Sequence, residues 1–378
     1  MKLLIERGIL LSAIQNVQRS VSTKTTIPVL SGIKITATHE GLQMTATDLE
    51  TGIETHIPTH IEDQEHVQIM EEGSIVLTAR YLFEIVRKLP HSQVELEVKQ
   101  NYLTIIRSGS SEFNLHGLHA EEFPRLPQVS GDQIFSTSSL VLKEMIRQTV
   151  PAVSTEEIRP VLTGVVASMQ QGELRFVATD SHRLAQRNAR VEASADLAFD
   201  NVIIPGKSLS ELSRLLPDQD SLVDVVIADN QILFRFGQTK FYSRLIDGQY
   251  PDTSRIIPAS FKTHVHVATK SLLDAVERAA LIARDNDNNV VRLNIKADQF
   301  EISSNSADVG KVTENIAADD FSGEDLLIAC NAKYLIDALR VIESDKILIE
   351  FTGAMSPFLI KLPDNPDYIH LILPIRIY

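Results

Sequence analysis

The sequence predicts an α+β fold built as three tandem copies of one unit, each with two helices packed on an antiparallel sheet. Three observations lead there: a motif recurring at domain-sized spacing, helical stripes at matching places in each copy, and strand-like alternation between them. The motif is Leu42-Gln43-Met44-Thr45-Ala46-Thr47-Asp48, met again as Leu174-Arg175-Phe176-Val177-Ala178-Thr179-Asp180, 132 residues later. A degenerate third copy, Phe300-Glu301-Ile302-Ser303-Ser304-Asn305-Ser306, follows after 126 more. Thr78-Ala79-Arg80-Tyr81-Leu82, Pro205-Gly206-Lys207-Ser208-Leu209 and Asn331-Ala332-Lys333-Tyr334-Leu335 repeat in the same order, 127 and 126 residues apart. Periods this long are duplicated domains, since solenoid repeats run about 20–50 residues. The 378 residues then divide into domains at 1–128, 129–257 and 258–378.

The elements follow in order within each copy. A first helix is predicted at Ile9 to Val17, Leu140 to Val150 and Leu272 to Ile282. Strands show apolar residues at every second place, as in Leu42/Met44/Ala46, Leu174/Phe176/Ala178 and Val223/Val225/Ile227. The second helix carries the clearest stripe, at i, i+3, i+4 and i+7. It reads Leu82, Ile85, Val86 and Leu89 in copy one, and Leu209, Leu212, Ser213 and Leu216 in copy two. Copy three has Leu335, Ala338, Leu339 and Ile342. Pro90 and Pro217 stop the first two of these helices, and Glu343-Ser344-Asp345 stands in that place in the third. Phe123-Pro124-Arg125-Leu126-Pro127 forms the first joint, and Tyr250-Pro251-Asp252 through Ile257-Pro258 forms the second. Proline there keeps a helix from starting at once, and short joints without Gly/Ser runs predict a fixed pose between neighbours.

Composition narrows the function classes. The apolar and charged fractions are those of an ordinary globular protein. A single cysteine, Cys330, excludes an intrachain disulfide and fits a reducing, cytoplasmic compartment. Met1 to Ile5 is apolar apart from Lys2, but Glu6 and Arg7 end the run. Neither a signal peptide nor a membrane span is expected, and no membrane partner. A formal charge of −14 argues against gripping nucleic acid by bulk electrostatics.

Motifs for catalysis or metal binding fail on spacing. Asp180-Ser181-His182 holds the residue types of a hydrolase triad, but neighbours on an extended segment point to opposite faces. Asp285-Asn286-Asp287-Asn288-Asn289 starts like a calcium loop, yet Val290 replaces the needed glycine and Lys296 the closing glutamate. It reads as a polar turn before a strand. His264 and His266 share a strand face without a third ligand nearby, so they read as solvated. Cys330 follows the apolar Leu326-Leu327-Ile328 and reads as core. No phosphate-cradling glycine loop is present. Glu62, Asp63, Glu65, Glu71 and Glu72 form an acidic, solvated loop. No cofactor and no metal is expected.

Charge is distributed unevenly. The helical segments 6–21, 78–90, 137–153, 205–217, 269–285 and 331–343 together carry +5, leaving −19 on the rest. Lysine and arginine favour helices in general; the sharper reading is that the helices face a polyanion. The candidate contacts are Arg19, Lys24, Arg80, Arg87, Lys88, Lys143, Arg147, Lys207, Arg214, Arg278 and Lys333.

Ala178-Thr179-Asp180-Ser181-His182-Arg183-Leu184-Ala185 closely resembles the signature of the bacterial sliding clamp family, the beta subunit of DNA polymerase III. Leu245-Ile246-Asp247-Gly248-Gln249-Tyr250-Pro251-Asp252 is a second match. The terminal Leu373-Pro374-Ile375-Arg376-Ile377-Tyr378 is a third, in the form typical of low-GC Gram-positive bacteria. The resemblance spans the whole chain. It implies three DNA-clamp domains per chain, closing as a six-domain ring in a head-to-tail homodimer. Duplex DNA would thread the ring without regard to sequence. The clamp would tether the DNA polymerase III catalytic subunit and have no enzymatic activity of its own. A clamp-loader complex would open it, and other repair and replication proteins carrying a clamp-binding motif would share its cleft.

That cleft, carried over by position, takes Leu162, Thr179, His182 and Leu184 from copy two, and Pro251, Arg255 and Ile256 from the joint. Copy three adds Asn331, Tyr334, Met355, Pro357, Leu371, Leu373, Pro374, Ile375 and Arg376. Apolar walls around a few polar groups suit a peptide pocket. The resemblance puts Phe113 opposite Leu281 and Ile282 at the dimer interface. Departures from the family pattern are Ser181 for a common glycine, Ile375 for valine or methionine, and Ser110 for an interface arginine. Two other readings stay open: an accessory clamp paralogue serving repair or a mobile replicon, and a hydrolase using Asp180, Ser181 and His182.

Overall fold

The computed structural model describes all residues except 23, 62–63, 130–132, 195, 284–288, 298 and 377–378. Glu62 and Asp63 of the acidic loop, Asp285 to Asn288 of the polar turn, and the terminal Ile377 and Tyr378 lie outside the described residues. The chain forms two compact units, residues 1–139 with 214–245 and residues 140–213 with 246–378. The middle copy contributes strands to the first unit, and both helices and further strands to the second.

The first unit contains helices α1 (Arg7–Val17) and α2 (Ala79–Lys88). Leu10, Ala13, Ile14 and Val17 of α1 and Leu82 and Val86 of α2 are buried, giving each helix the one-sided stripe its spacing predicts. Ile85 is only half-buried, so the stripe of α2 is narrower than its sequence suggests. One sheet runs in the order Ser111–His116, Leu103–Ser108, Gln93–Val98, Lys2–Glu6, Val67–Glu71. In a second, larger sheet the strands of the first copy continue those of the middle copy. Its order is Gln133–Ser138, Leu222–Ala228, Gln231–Phe236, Thr239–Arg244, Thr51–Pro58, Gly41–Thr47, Gly32–Thr38, Gly73–Thr78.

The second unit carries α3 (Ser139–Thr149), α4 (Gly206–Leu215), α5 (Thr269–Ala283) and α6 (Ala332–Arg340). Its nine-stranded sheet runs Phe199–Pro205, Gly164–Gln170, Glu173–Thr179, Arg183–Arg190, Asn365–Ile372, Phe358–Leu362, Lys346–Phe351, Thr263–Ala268, Asp320–Gly323. A four-stranded sheet runs Gly310–Ile316, Gln299–Ser306, Val290–Lys296, Leu326–Asn331. Leu272, Ala275, Val276 and Ala279 of α5 and Leu335, Ala338 and Leu339 of α6 pack with Val291, Leu293, Phe300 and Ile302 into one apolar core. Each large apolar side chain buried this way contributes about 1.5–3 kcal/mol. Cys330 lies in that core, and burial pushes its thiol up to about 12.

The duplication is legible atom by atom. Asp48 Oδ1 accepts from the backbone N–H of Glu50 and Thr51, and Thr47 Oγ1 donates to the Thr51 carbonyl at 2.6 Å. Asp180 Oδ1 accepts from the N–H of His182 and Arg183, and Thr179 Oγ1 donates to the Arg183 carbonyl at 2.6 Å. Both turns force a left-handed residue, Leu49 at φ 77° and Ser181 at φ 78°. That conformation explains why glycine suits position 181: it has no Cβ to strain there. The third copy lacks the aspartate and turns differently, through Ser306.

A candidate partner-binding cleft

The strands Arg183–Arg190 and Asn365–Ile372 pair antiparallel and join copies two and three in one sheet. The register sets Leu184 opposite Leu371. These two, with Val177 and Leu359, form a buried apolar cluster on which Ile257, Phe261 and Leu373 pack. The last segment docks by two backbone bonds, Leu373 N–H to the His182 carbonyl at 2.9 Å and Ile375 N–H to the Ala329 carbonyl at 2.8 Å. Tyr250 locks the joint from beneath. Its buried hydroxyl accepts from Thr179 N–H at 2.9 Å, and its own N–H donates to Asn201 Oδ1. Asn201 Nδ2 also donates to the Gly248 carbonyl. Gly248 has φ 126°, and a Cβ there would come within 2.8 Å of Val161. Both the glycine and the tyrosine of the second family-like motif thus have physical jobs.

Beside the apolar cluster opens a cavity of about 460 Å³ lined by His182, Asn331 and Tyr334 and by residues from Val153 to Arg159. Its floor is Arg183, which the sequence reading passed over. Arg183 is 6% exposed, and its Nε donates to Asp180 Oδ2 at 2.9 Å. Its Nη1 donates to Asp337 Oδ2 at 2.8 Å, and its guanidinium lies 4.5 Å from the Tyr334 ring centroid. A buried cation satisfied on two sides and stacked under an aromatic ring is a rigid support. The Tyr334 ring in turn lies 6.2 Å from that of His182, nearly parallel at 16°. Burial, with the Asp180 charge nearby, pushes the Tyr334 hydroxyl pKa upward. Asn331 caps α6, its side chain accepting from Lys333 N–H. The Asp180 carboxylate is spent on backbone N–H groups and Arg183, and the His182 ring on Tyr334. No triad forms.

The other expected cleft residues divide by depth. Leu162, Thr179, Leu184 and Leu371 are buried, and Leu373, Pro374, Ile375 and Pro357 are half-buried. Pro251, Arg255, Ile256, Met355 and Arg376 are exposed. Ile256 and Met355 are exposed apolar side chains, at 42% and 57%. Ile158, 86% exposed at the cavity edge, escaped the sequence reading because it lies in an aperiodic loop.

The basic candidates are less uniform. Arg19, Lys24, Arg80, Lys207 and Arg214 are exposed, and Lys143 is half-buried. Arg87 and Lys88 share Glu84, Arg147 pairs with Glu343, and Lys333 pairs with Asp337. Arg278 grips Glu314 with two bonds, at 2.9 and 2.8 Å. His264 and His266 each face one carboxylate, Glu350 and Asp320. Among the described residues no group of three metal-binding side chains comes together.

His370, between the apolar Ile369 and Leu371, is buried with both ring nitrogens unpartnered among the described residues. Burial, with Arg183 nearby, lowers its pKa to about 3. The folded chain therefore refuses a proton that the unfolded chain takes up below about 6.5. Stability is unaffected by this group above that value and is lost as pH falls from 6.5 toward 3. The expected slope is about 1.4 kcal/mol per pH unit at most. His370→Phe should flatten the acid limb of a melting-temperature profile relative to wild type; superimposable acid limbs would contradict this.

Three family models tile the chain: the DNA polymerase III beta subunit N-terminal domain at residues 1–127, central domain at 137–252 and C-terminal domain at 254–376. The beta sliding clamp of Bacillus subtilis is 50% identical, and that of Staphylococcus aureus strain N315 42% identical, over the full length of both chains in each case. The crystal structure of the Bacillus subtilis DNA polymerase sliding clamp superposes with a TM-score of 0.96 at full coverage of both chains and 50% identity. A Pseudomonas aeruginosa sliding clamp solved bound to griselimycin, 29% identical, also matches over both full chains, with a TM-score of 0.92. With three clamp domains in tandem and full-length identity of this order, the chain belongs to the DNA polymerase III beta subunit family, the beta sliding clamps.

Proposed function

We propose that this protein encircles duplex DNA as a sliding clamp and tethers the replicative polymerase to it. The full-length match to a beta sliding clamp at 50% identity carries this reading. Two chains, each with clamp domains at 1–128, 129–257 and 258–378, close head to tail into a ring of six. The clamp does no chemistry; it confers processivity, and a loader complex opens it. Its net charge of −14 agrees with retention by topology, because a ring holds DNA without binding it tightly. The eleven basic candidates then serve as a weak lining for phosphates. Those already ion-paired, such as Arg278 and Lys333, contribute less than Arg80 or Lys207. Among the described residues no helix is long and apolar enough to cross a membrane. The site of action is the cytoplasm, where the DNA is.

The cleft beside Tyr334 takes the clamp-binding peptides of the polymerase, the loader and repair proteins. A deep apolar floor at Leu184 and Leu371 and a rigid ring platform at its edge are what a few anchoring side chains need. Primer extension on a primed circular template tests the function. Added clamp and loader should lengthen the products of single binding events at least about tenfold, against no change if the protein is not a clamp.

A further inference from the structure

The first joint has its own groove, and its chemistry is opposite to that of the second. Thr51–Thr55 pairs with Thr239–Ser243 in the same way that Arg183–Arg187 pairs with Tyr368–Ile372. One transverse row of the first sheet reads Lys34, Thr45, Glu54, Lys240, Arg235. The corresponding row in the second reads Val166, Val177, Gln186, Ile369, Lys361. There Val177 belongs to the apolar cluster, with Val166 and Ile369 packed on it. Duplication placed the two rows at equivalent positions, and their side chains have diverged.

The charged row opens into a groove of about 610 Å³ walled by Phe123 to Val129. The wall sits tight on the sheet: a Cβ on Gly52 would lie 2.5 Å from Leu126 Cδ2. Lys34, Arg125, Arg235 and Lys240 line the groove against the single carboxylate of Glu54, a local +3 on a chain of −14. Only Lys240 is neutralised, by Glu54 at 2.8 Å. Lys34, Arg125 and Arg235 make no ion pair among the described residues. Arg235 stands between Lys240 on one side and Asp224 on the other in the strand register, and Asp224 does not line the groove. Three cations of the lining without an ion-pair partner are what an anionic ligand would meet.

We propose that this groove binds an acidic, extended peptide segment of a partner protein, with carboxylates on Lys34 and Arg235 and an apolar side chain against Leu126. A peptide fits better than nucleic acid. The side-chain carbonyl of Gln43 in the lining can accept from peptide N–H groups, donors that a phosphate backbone lacks. The site is separate from the cleft beside Tyr334.

The test uses the full chain and a fluorescein-labelled, glutamate-rich peptide carrying one leucine, read by fluorescence anisotropy. Wild type should bind it, and Lys34→Glu and Arg235→Glu should each weaken binding by roughly tenfold or more. Tyr334→Ala should leave the affinity unchanged, and duplex DNA should not displace the peptide. Should a charge reversal lower the melting temperature, Lys34→Gln and Arg235→Gln replace it, with the same loss expected in smaller degree. No binding by wild type, equal binding by the folded Lys34 and Arg235 variants, loss in Tyr334→Ala, or displacement by duplex DNA would each overturn the assignment.

Discussion

Replacing Leu281 and Ile282 together by aspartate should leave the protein monomeric and unable to stay on DNA. Leu281 is 61% exposed at the end of α5, and Phe113 is 39% exposed on Ser111–His116, an edge strand of the five-stranded sheet. Gly310–Ile316 is likewise an edge strand of the four-stranded sheet. By repeat position these edges correspond to the strands paired at the two joints: Gly310–Ile316 to Thr51–Pro58 and Arg183–Arg190, and Ser111–His116 to Thr239–Arg244 and Asn365–Ile372. The pairing made twice within a chain is thus left to be made a third time between chains. Exposed edges invite such addition, and a heterologous contact that closes gives a ring. Two apolar anchors lost and two charges buried, at both interfaces of the ring, should raise the dimer dissociation constant at least about a thousandfold. Sedimentation equilibrium reads the outcome directly. A variant that keeps the wild-type dimer mass would place the interface elsewhere.

Loss of Tyr334 or of its support should remove most peptide affinity, by two routes that stability separates. Tyr334→Ala takes away half the ring platform, and a central anchor of this kind is worth about 2 kcal/mol or more, roughly thirtyfold. It should fold normally. Arg183→Met leaves the tyrosine in place but strips Asp180 and Asp337 of their buried partner. Breaking such a pair costs about 3–5 kcal/mol of stability, and Tyr334 loses the cation beneath its ring. The expected result is weakened binding together with a lowered melting temperature. Calorimetry with a peptide holding glutamine followed by aliphatic and aromatic anchors would measure both variants. Unchanged affinity in Tyr334→Ala would mean that the cleft lies elsewhere.

Much of this is legible in the amino-acid sequence. The helix stripes from Leu209 to Leu216 and from Leu335 to Ile342 fall on buried faces because a 3.6-residue period leaves one choice of inward side. Asp48 and Asp180 mark the same turn because one carboxylate satisfies the same two backbone N–H groups in each. Arg183 stayed hidden for the opposite reason. An arginine in a strand is ordinarily solvated, and its partner Asp337 lies 154 residues away on a helix. The i, i+3 pairing of Asp180 and Arg183 across a tight turn was the available signal. The charged row of the first joint was equally invisible, since Lys34 meets Lys240 and Arg235 only through strand register. The compact units also cut across the middle repeat. Sheets that run from one copy into the next blur boundaries that sequence spacing draws sharply.

Retention on circular against linear duplex DNA tests the central claim most directly. Loader-assembled protein, isolated on a closed circle, should stay bound for as long as the circle is intact. One cut that frees the ends should release it quickly, whatever the sequence of the DNA. The proposed phosphate contacts, spread over α2 to α6 and the segment after α1, would have no means of reading bases and little strength once salt is present. Equal retention before and after linearisation would mean that affinity rather than encirclement holds the protein, and would contradict the account.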